Sequence, residues 1–244
     1  MIPKIIHYCW FGRGQMPDLV LKCIASWKQY LPEYEIRLWN EDNFDFSSYT
    51  YAVDAYKERK FAFVSDVCRL SVLKEFGGLY LDTDVEFIKS FPDKFLDDIA
   101  FTGFEDELVS AGVIGSVKGG EWISNLLSFY HNKSFYKTDG SLDVNPITEM
   151  MTASLGSEKD ILPNNTFQKI EGYCTIYPSE YFYPKSWKTL KMNITPNTYC
   201  IHHFAGSWID HNYTFLGKMA NIILGKRIAE SWSRRYRKIT GREK

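Results

Sequence analysis

At 244 residues and a formal net charge of −1, the chain has the size of one α/β domain with at most a small appendage, and nothing in its overall charge favours nucleic acid or an acidic membrane. Hydrophobic residues make up 45% of it, enough for a single buried core, yet no run approaches the roughly 20 apolar residues that a bilayer span needs. Cys9, Cys23, Cys68, Cys174 and Cys200 are scattered, odd in number and without a C-x-x-C pair, which argues against a disulfide framework or a zinc ribbon and for reduced core residues of a cytoplasmic protein.

The opening, MIPKIIHYCWFG, is too short and aromatic for a secretory leader, and Lys4 to Trp10 reads as a first strand. His7 lies inside it with nothing nearby to complete a metal set, so it reads as a packed residue. Phe11 to Pro17, with two glycines, is the loop beyond the strand. Asp18 to Leu31 carries Leu19, Val20, Cys23, Ile24, Trp27 and Leu31 at helical spacing, and Pro32 ends that helix. Tyr34 to Trp39 alternates as a second strand. Strand, helix, strand implies a parallel sheet with a right-handed crossover. Tyr49 to Arg59 is a short helix.

The stretch from Phe61 to Phe87 organises the rest. Phe63, Val67, Leu70 and Leu73 recur at helical spacing, Gly77 and Gly78 stop the helix, and Leu79 to Leu81 forms a short buried strand. That strand delivers Asp82, Thr83 and Asp84 at its C-terminal end, where open α/β sheets bind ligands. Two carboxylates one residue apart on a bend are hard oxygen donors suited to Mg²⁺ or Mn²⁺, whose remaining ligands are commonly phosphate oxygens. A lone D-x-D reads first as a solvated turn after a strand, and the surrounding residues decide otherwise.

Beyond it, Ala100 to Phe104 and Val109 to Gly115 read as strands, Trp122 to Tyr130 as a helix, Lys133 to Val144 as a polar loop, and Asn145 to Leu155 as a helix with Pro146 in its first turn. Gly112 permits close backbone approach. Gly156 to Tyr183 is mixed; Glu180, Tyr181 and Tyr183 are either acceptor contacts or packing residues. Tyr199 to Phe204 reads as a strand, so His202 and His203 face opposite sides and only one can look toward the D-x-D. Residues 213 to 239 read as helical. Lys226, Arg227, Arg234, Arg235, Arg237 and Lys238 make that tail basic, either a solvated face or a surface for an anionic leaflet.

Taken together, Ser65-Asp66-x-x-Arg69, then Gly77-Gly78-x-Tyr80-x-Asp82-x-Asp84, resembles the core motif of GT-A glycosyltransferases, most nearly glycosyltransferase family 32 and the related large clostridial glucosylating toxins. The opening I-H-Y-x-W-F-G and the late His203-Phe204-Ala205-Gly206 followed by Trp208 are similar to further elements of those enzymes. The resemblance implies a Rossmann-like, mostly parallel central sheet flanked by helices. It implies a catalytic domain over 1–212, with nucleotide-sugar binding in 1–90 and the acceptor side and late metal ligand in 91–212, followed by a basic helical region, 213–244.

The same resemblance implies a retaining transfer of a hexose from a nucleotide sugar, UDP favoured, to a glycan hydroxyl, lipid-linked or not, in capsular or surface polysaccharide synthesis. Asp82, Asp84 and His203 would ligate Mn²⁺ or Mg²⁺. Cys9, Trp10, Ser65, Asp66, Arg69, Tyr80, Asp82, Thr83, Ser207 and Trp208 would line the donor site, with Trp10 stacked on the base and Asp66 and Arg69 on hexose hydroxyls. Asp66, Arg69, Asp82 and Asp84 form the implied catalytic set. Related enzymes carry a lysine after the late glycine that this chain lacks, which leaves the group that neutralises the diphosphate open. A toxin-like protein glycosyltransferase, a nucleotide-sugar hydrolase and a non-catalytic sugar binder are the competing readings.

Overall fold

The computed structural model describes residues 1–205, built around a mixed sheet whose central strands carry the motifs above. Strand β1 (Ile5–Cys9) lies between β2 (Glu35–Trp39) and β3 (Gly78–Leu81), parallel to both, with Ile6 opposite Ile36 and His7 opposite Tyr80. Helix α1 (Asp18–Tyr30) makes the crossover from β1 to β2 and buries Val20, Cys23 and Trp27, the stripe its spacing predicts. Helices α2 (Thr50–Lys57) and α3 (Phe61–Phe76) lead into β3. At the end of α3, Gly77 and Gly78 take φ of 68° and 108°, and a Cβ on either would lie 2.6 Å from a backbone atom, so the tight helix-to-strand turn needs glycine twice.

His7 staples this corner. Its Nε2 donates to the Gly77 carbonyl at 2.8 Å and its Nδ1 accepts from the Trp39 indole at 3.0 Å. Burial lowers its pKa to about 4, so it is a neutral packing residue, as expected.

From β3 the chain turns into β4 (Val85–Phe87). The sheet continues through β5 (Ala100–Glu105), β6 (Leu108–Val109) and β7 (Val113–Ser116), with β7 antiparallel to both β3 and β5 and β6 paired to the end of β5. The single strand expected over 109–115 is therefore two. The break at 110–112 carries the chain from the edge of β5 to β3, and there Asp82 N–H donates to the Gly112 carbonyl at 2.8 Å. Helices α4 (Glu121–Ser128) and α5 (Ile147–Glu158) follow, then β8 (Gln168–Ile170), β9 (Cys174–Tyr177), the short α6 (Ser179–Phe182) and β10 (Cys200–His202). The strand order is β2-β1-β3-β7-β5-β9-β8. Within it β1, β2, β3, β5 and β9 run one way and β7 and β8 the other, which makes the sheet mostly parallel.

Two apolar cores sandwich the sheet. One gathers α2, α3, α4 and α5; the other gathers α1, β4 and a block of rings around Phe91, Phe95, Phe101 and Phe182, with Phe91 stacked on Phe95 at 4.5 Å. Many of the chain's aromatic side chains are thus core. Tyr183 belongs to it as well: its hydroxyl accepts from Val113 N–H at 2.6 Å, and Glu180 is tied to Thr195 and Asn197, so both are structural where they stand. All five cysteines are free and buried. No helix among the described residues is long and apolar enough to cross a membrane. The basic region 213–244 and the boundary at 212 lie outside the described residues.

Candidate active site at the C-terminal edge of the sheet

Strands β1 and β3 are parallel, so their C-terminal ends open on one edge. There Asp82 and Asp84 occupy the turn between β3 and β4. The turn closes with Val85 N–H on the Asp82 carbonyl at 3.0 Å, and α1 pins its far side through the Trp27 indole on the Val85 carbonyl at 2.7 Å and Ser26 Oγ on Phe87 N–H at 2.9 Å.

Strand β10 adds the third member. It pairs antiparallel with β4, setting Cys200 opposite Phe87, Ile201 opposite Glu86 and His202 opposite Val85. Directly opposed residues share a face, so His202 lies with Cys200, Val85 and Phe87 on the inward side. His202 Nε2 is 3.2 Å from Asp84 Oδ1, and donor atoms of Asp82, Asp84 and His202 all lie within 4.8 Å of one another. This corrects the expectation for His203. The period of two turns that ring to the other face, where Nε2 meets Glu86 Oε2 at 2.7 Å and Glu86 in turn pairs with Lys22 at 2.8 Å. Spacing alone leaves the parity open, because Cys200 two positions before His202 and Ile201 two positions before His203 are both apolar; the pairing of β10 with β4 decides it.

Past β10, Phe204 takes φ of 58°, a left-handed turn that aims the Ala205 N–H at Asp84 Oδ2, 2.7 Å away, while His203 N–H donates to the Asp84 carbonyl at 3.0 Å. Burial alone would raise the Asp84 carboxyl; the His202 ring and the Ala205 N–H outweigh it and bring its pKa to about 2. For His202 burial opposes charge, but Asp84 and then Glu105 outweigh it and hold the imidazole well above its ordinary range.

Beneath Asp82 lies the D-x-x-R pair. Arg69 and Asp66 are each 5% exposed, joined at 2.9 Å, and Arg69 also reaches Asp82 Oδ1 at 3.4 Å and the Ala111 carbonyl at 2.9 Å, with its guanidinium over the Tyr80 ring. Tyr80 Oη donates to the same Asp82 oxygen at 3.0 Å. The surface ion pair that a bare i,i+3 spacing suggests is therefore a buried brace that fixes Asp82 and the 110–112 loop. Burial pushes the Asp66 carboxyl up to about 6 despite Arg69. Gly112 sits against the cluster: a Cβ there would be 3.2 Å from Asp82 Oδ2 and 3.6 Å from His202 Cε1.

Trp10 follows β1 on the same edge, half-buried, its indole donating to the Gly14 carbonyl at 2.6 Å. Cys9 is buried beneath it in the strand. Ser65 caps back onto the Phe61 carbonyl at 3.1 Å, and Thr83 is half-buried in the D-x-D turn. Ser207 and Trp208 lie outside the described residues. Besides His202, the sequence reading missed Glu105, at the end of β5, whose Oε2 faces His202 Nδ1 at 3.4 Å; nothing local marks it, because its partner comes from the far end of the chain. Two carboxylates and an imidazole this close fit a single divalent ion such as Mn²⁺ or Mg²⁺.

Residues 1–142 match the profile of a family described as capsular polysaccharide synthesis proteins. Among curated proteins, the chain is 26% identical over 128 residues to Subversion of eukaryotic traffic protein A of Legionella pneumophila, covering 41% of this chain and 20% of that one. It is 32% identical over 88 residues to inositol phosphoceramide mannosyltransferase 3 of Schizosaccharomyces pombe, covering 34% and 24%. The chain thus spans a quarter or less of these relatives. Among solved structures it is similar to the PaToxG glycosyltransferase, at a TM-score of 0.50 and 20% identity over 65% of this chain and 70% of that one, a likeness of fold.

Proposed function

The chain belongs to the capsular polysaccharide synthesis protein family, and from that premise we propose that it is a metal-dependent, retaining glycosyltransferase that moves a hexose from a nucleoside diphosphate sugar to a glycan hydroxyl. The observation that carries this is the convergence of Asp82, Asp84 and His202 at the C-terminal edge of a glycosyltransferase-like sheet. Asp82, Asp84 and His202 would hold Mn²⁺ or Mg²⁺, which when bound supplies counter-charge to the departing diphosphate.

The chain's own residues do the positioning. Arg69, Tyr80 and Asp66 fix the Asp82 carboxylate. The half-buried Trp10 offers a flat face for the base, UDP in preference to GDP. Gly112 leaves room for the donor beside Asp82. In same-face transfer the acceptor oxygen bonds to the anomeric carbon as the bond to the β-phosphate breaks, and the acceptor proton passes to the departing phosphate oxygen. A glycan in surface or capsular polysaccharide synthesis is the acceptor, on the strength of the family. A lipid-linked acceptor met at the cytoplasmic face of a membrane through the basic 213–244 region belongs to the same proposal.

The test is a thermal-shift panel of nucleotide sugars with Mn²⁺ or EDTA, followed by product analysis with and without glycan acceptors. A Mn²⁺-dependent shift with one UDP-sugar, and sugar appearing on the acceptor, is expected. Free hexose at the same rate with or without acceptor would make it a hydrolase, and no nucleotide-sugar shift in any metal would overturn the reading.

A further inference from the structure

Beside the cluster, on the His202 side, stands a carboxylate that the proposed reaction does not use directly. Glu105 ends β5, and its side chain is 14% exposed. Ser110 Oγ donates to its Oε2 at 2.6 Å. Ser110 is itself 1% exposed and fixed at both ends of its backbone, its N–H on the Gly103 carbonyl at 3.0 Å and its carbonyl accepting from Thr102 Oγ1 at 2.7 Å. Glu105 is therefore held in place before any ligand arrives.

Facing it is His202 Nδ1, fully buried, with no shorter hydrogen bond and with Glu105 Oε2 at 3.4 Å. The ring is confined on both sides, by Phe204 at 4.5 Å between centroids and by the edge of Tyr183 at 5.9 Å. Its other nitrogen, Nε2, points to Asp84. An imidazole serving as a metal ligand presents one nitrogen as a lone pair and donates from the other, and a carboxylate on that second N–H fixes the ring's tautomer and orientation and raises its basicity.

We propose that Glu105 is the positioning residue for His202: its carboxylate accepts the Nδ1–H and so commits Nε2 as a nitrogen donor toward Asp82 and Asp84. This rests on the metal reading of the cluster. With Nε2 engaged as a ligand, Nδ1–H would be the nitrogen left to donate across the 3.4 Å contact to Glu105.

The experiment uses the full chain and titrates Co²⁺, which gains more from a nitrogen donor than Mg²⁺ does, and Mg²⁺, which prefers oxygen, by calorimetry. The near-isosteric Glu105→Gln should weaken Co²⁺ binding by about 10- to 100-fold, as loss of an outer carboxylate on a ligating histidine does, and weaken Mg²⁺ distinctly less. Ser110→Ala, which frees Glu105 without removing it, should lower the Co²⁺/Mg²⁺ affinity ratio in the same direction by a smaller factor, and it serves if the glutamine variant does not fold. Glu105→Gln combined with His202→Ala should bind Co²⁺ no more weakly than His202→Ala alone. Equal loss for both metals would make Glu105 a direct ligand or a mere charge, and unchanged Co²⁺ affinity would remove its role; either overturns the proposal while leaving the site intact. If His202→Ala and Asp84→Ala both bind Co²⁺ as the parent does, the metal reading itself falls, and this inference with it.

Discussion

His202 Nε2 and Asp84 Oδ1 stand 3.2 Å apart, one from the last described strand and the other from the turn after the third. Ring and carboxylate meet because β10 pairs with β4 in a register that puts His202 opposite Val85. The neighbouring histidine, one residue on, is committed to Glu86. His202→Ala should therefore sharply weaken Mn²⁺ binding, measured by calorimetry or by the spectrum of free Mn²⁺. His203→Ala should leave Mn²⁺ affinity near that of the parent and lose at most about 1 kcal/mol of stability, the ordinary value of one hydrogen-bonded contact. The reverse outcome would mean that β10 is out of register by one residue.

The brace below Asp82 gives a second expectation. Arg69 is buried between Asp66 and Asp82. Removing it leaves two carboxylates without their cation, so Arg69→Met should lower unfolding stability by about 3–5 kcal/mol in urea titrations. Asp66→Asn with Arg69→Met should recover part of that, because the uncompensated charge goes with it. If Arg69→Met alone is neutral, the guanidinium is not the element that holds Asp82.

A third expectation concerns pH and His7. Its folded pKa of about 4 lies below the ordinary 6.5, because the ring is buried and neutral between Gly77 and Trp39. Below pH 6.5 the unfolded chain binds a proton there that the folded chain refuses. The stability this group confers is thus full above about pH 6.5 and is lost as pH falls toward 4, by about 3 kcal/mol in all. Asp84 works in a lower window: its depressed pKa of about 2 adds stability above about pH 4 that is lost as pH falls through 2. His7→Gln should remove the His7 loss, so its stability relative to the parent rises by about 3 kcal/mol as pH falls from 6.5 to 4. Asp66, raised to about 6, acts the opposite way over the same window in both proteins, and the limb below pH 4 stays unchanged. An identical curve for variant and parent would show that His7 is not the group titrating there.

How far these features are legible in sequence depends on the range of the interaction. The β1–α1–β2 unit, the glycine pair after α3 and the strand feeding Asp82 and Asp84 all rest on local spacing and turn chemistry, and they stand where the pattern puts them. The split between β6 and β7 does not, because it is imposed by a change of pairing partner at 110–112. The depth of Asp66 and Arg69 was half visible: α3 is apolar on nearly every side, with Val64, Cys68 and Val72 buried besides the predicted stripe, and such a helix has no solvent face for an ion pair. The choice between His202 and His203 turned on the pairing of β10 with β4, and Glu105 was invisible because only the folded sheet brings it to the histidine.

Gly112 supplies a fourth expectation. Its backbone needs no left-handed conformation, but an added Cβ would crowd Asp82 Oδ2 at 3.2 Å and approach His202 Cε1 at 3.6 Å. Gly112→Ala should melt close to the parent, since the crowded atom is Asp82 Oδ2 and the core ring of Tyr183 is met only at an ordinary 3.5 Å, while Mn²⁺ and nucleotide-sugar affinity fall together. A large drop in melting temperature with affinity intact would place the glycine's importance in the 110–112 turn instead.

Trp10 tests the donor side. The residue follows β1 on the same edge as the D-x-D turn, half-buried, with its indole N–H fixed to the Gly14 carbonyl at 2.6 Å and its backbone N–H to the Trp39 carbonyl at 2.9 Å. Both bonds hold the ring in place without covering all of it, which is the state a stacking platform needs. Trp10→Ala should weaken UDP binding by about 1–3 kcal/mol, the usual worth of one base stacked on an aromatic ring. Trp10→Phe should recover part of that, because it keeps a face but loses the indole N–H that orients it. The melting temperature separates stacking from packing. A ring that only fills the core would give an alanine variant that melts far earlier and binds poorly because it is unfolded, and UDP affinity equal to the parent's in a well-folded Trp10→Ala protein would remove the base from this side of the sheet.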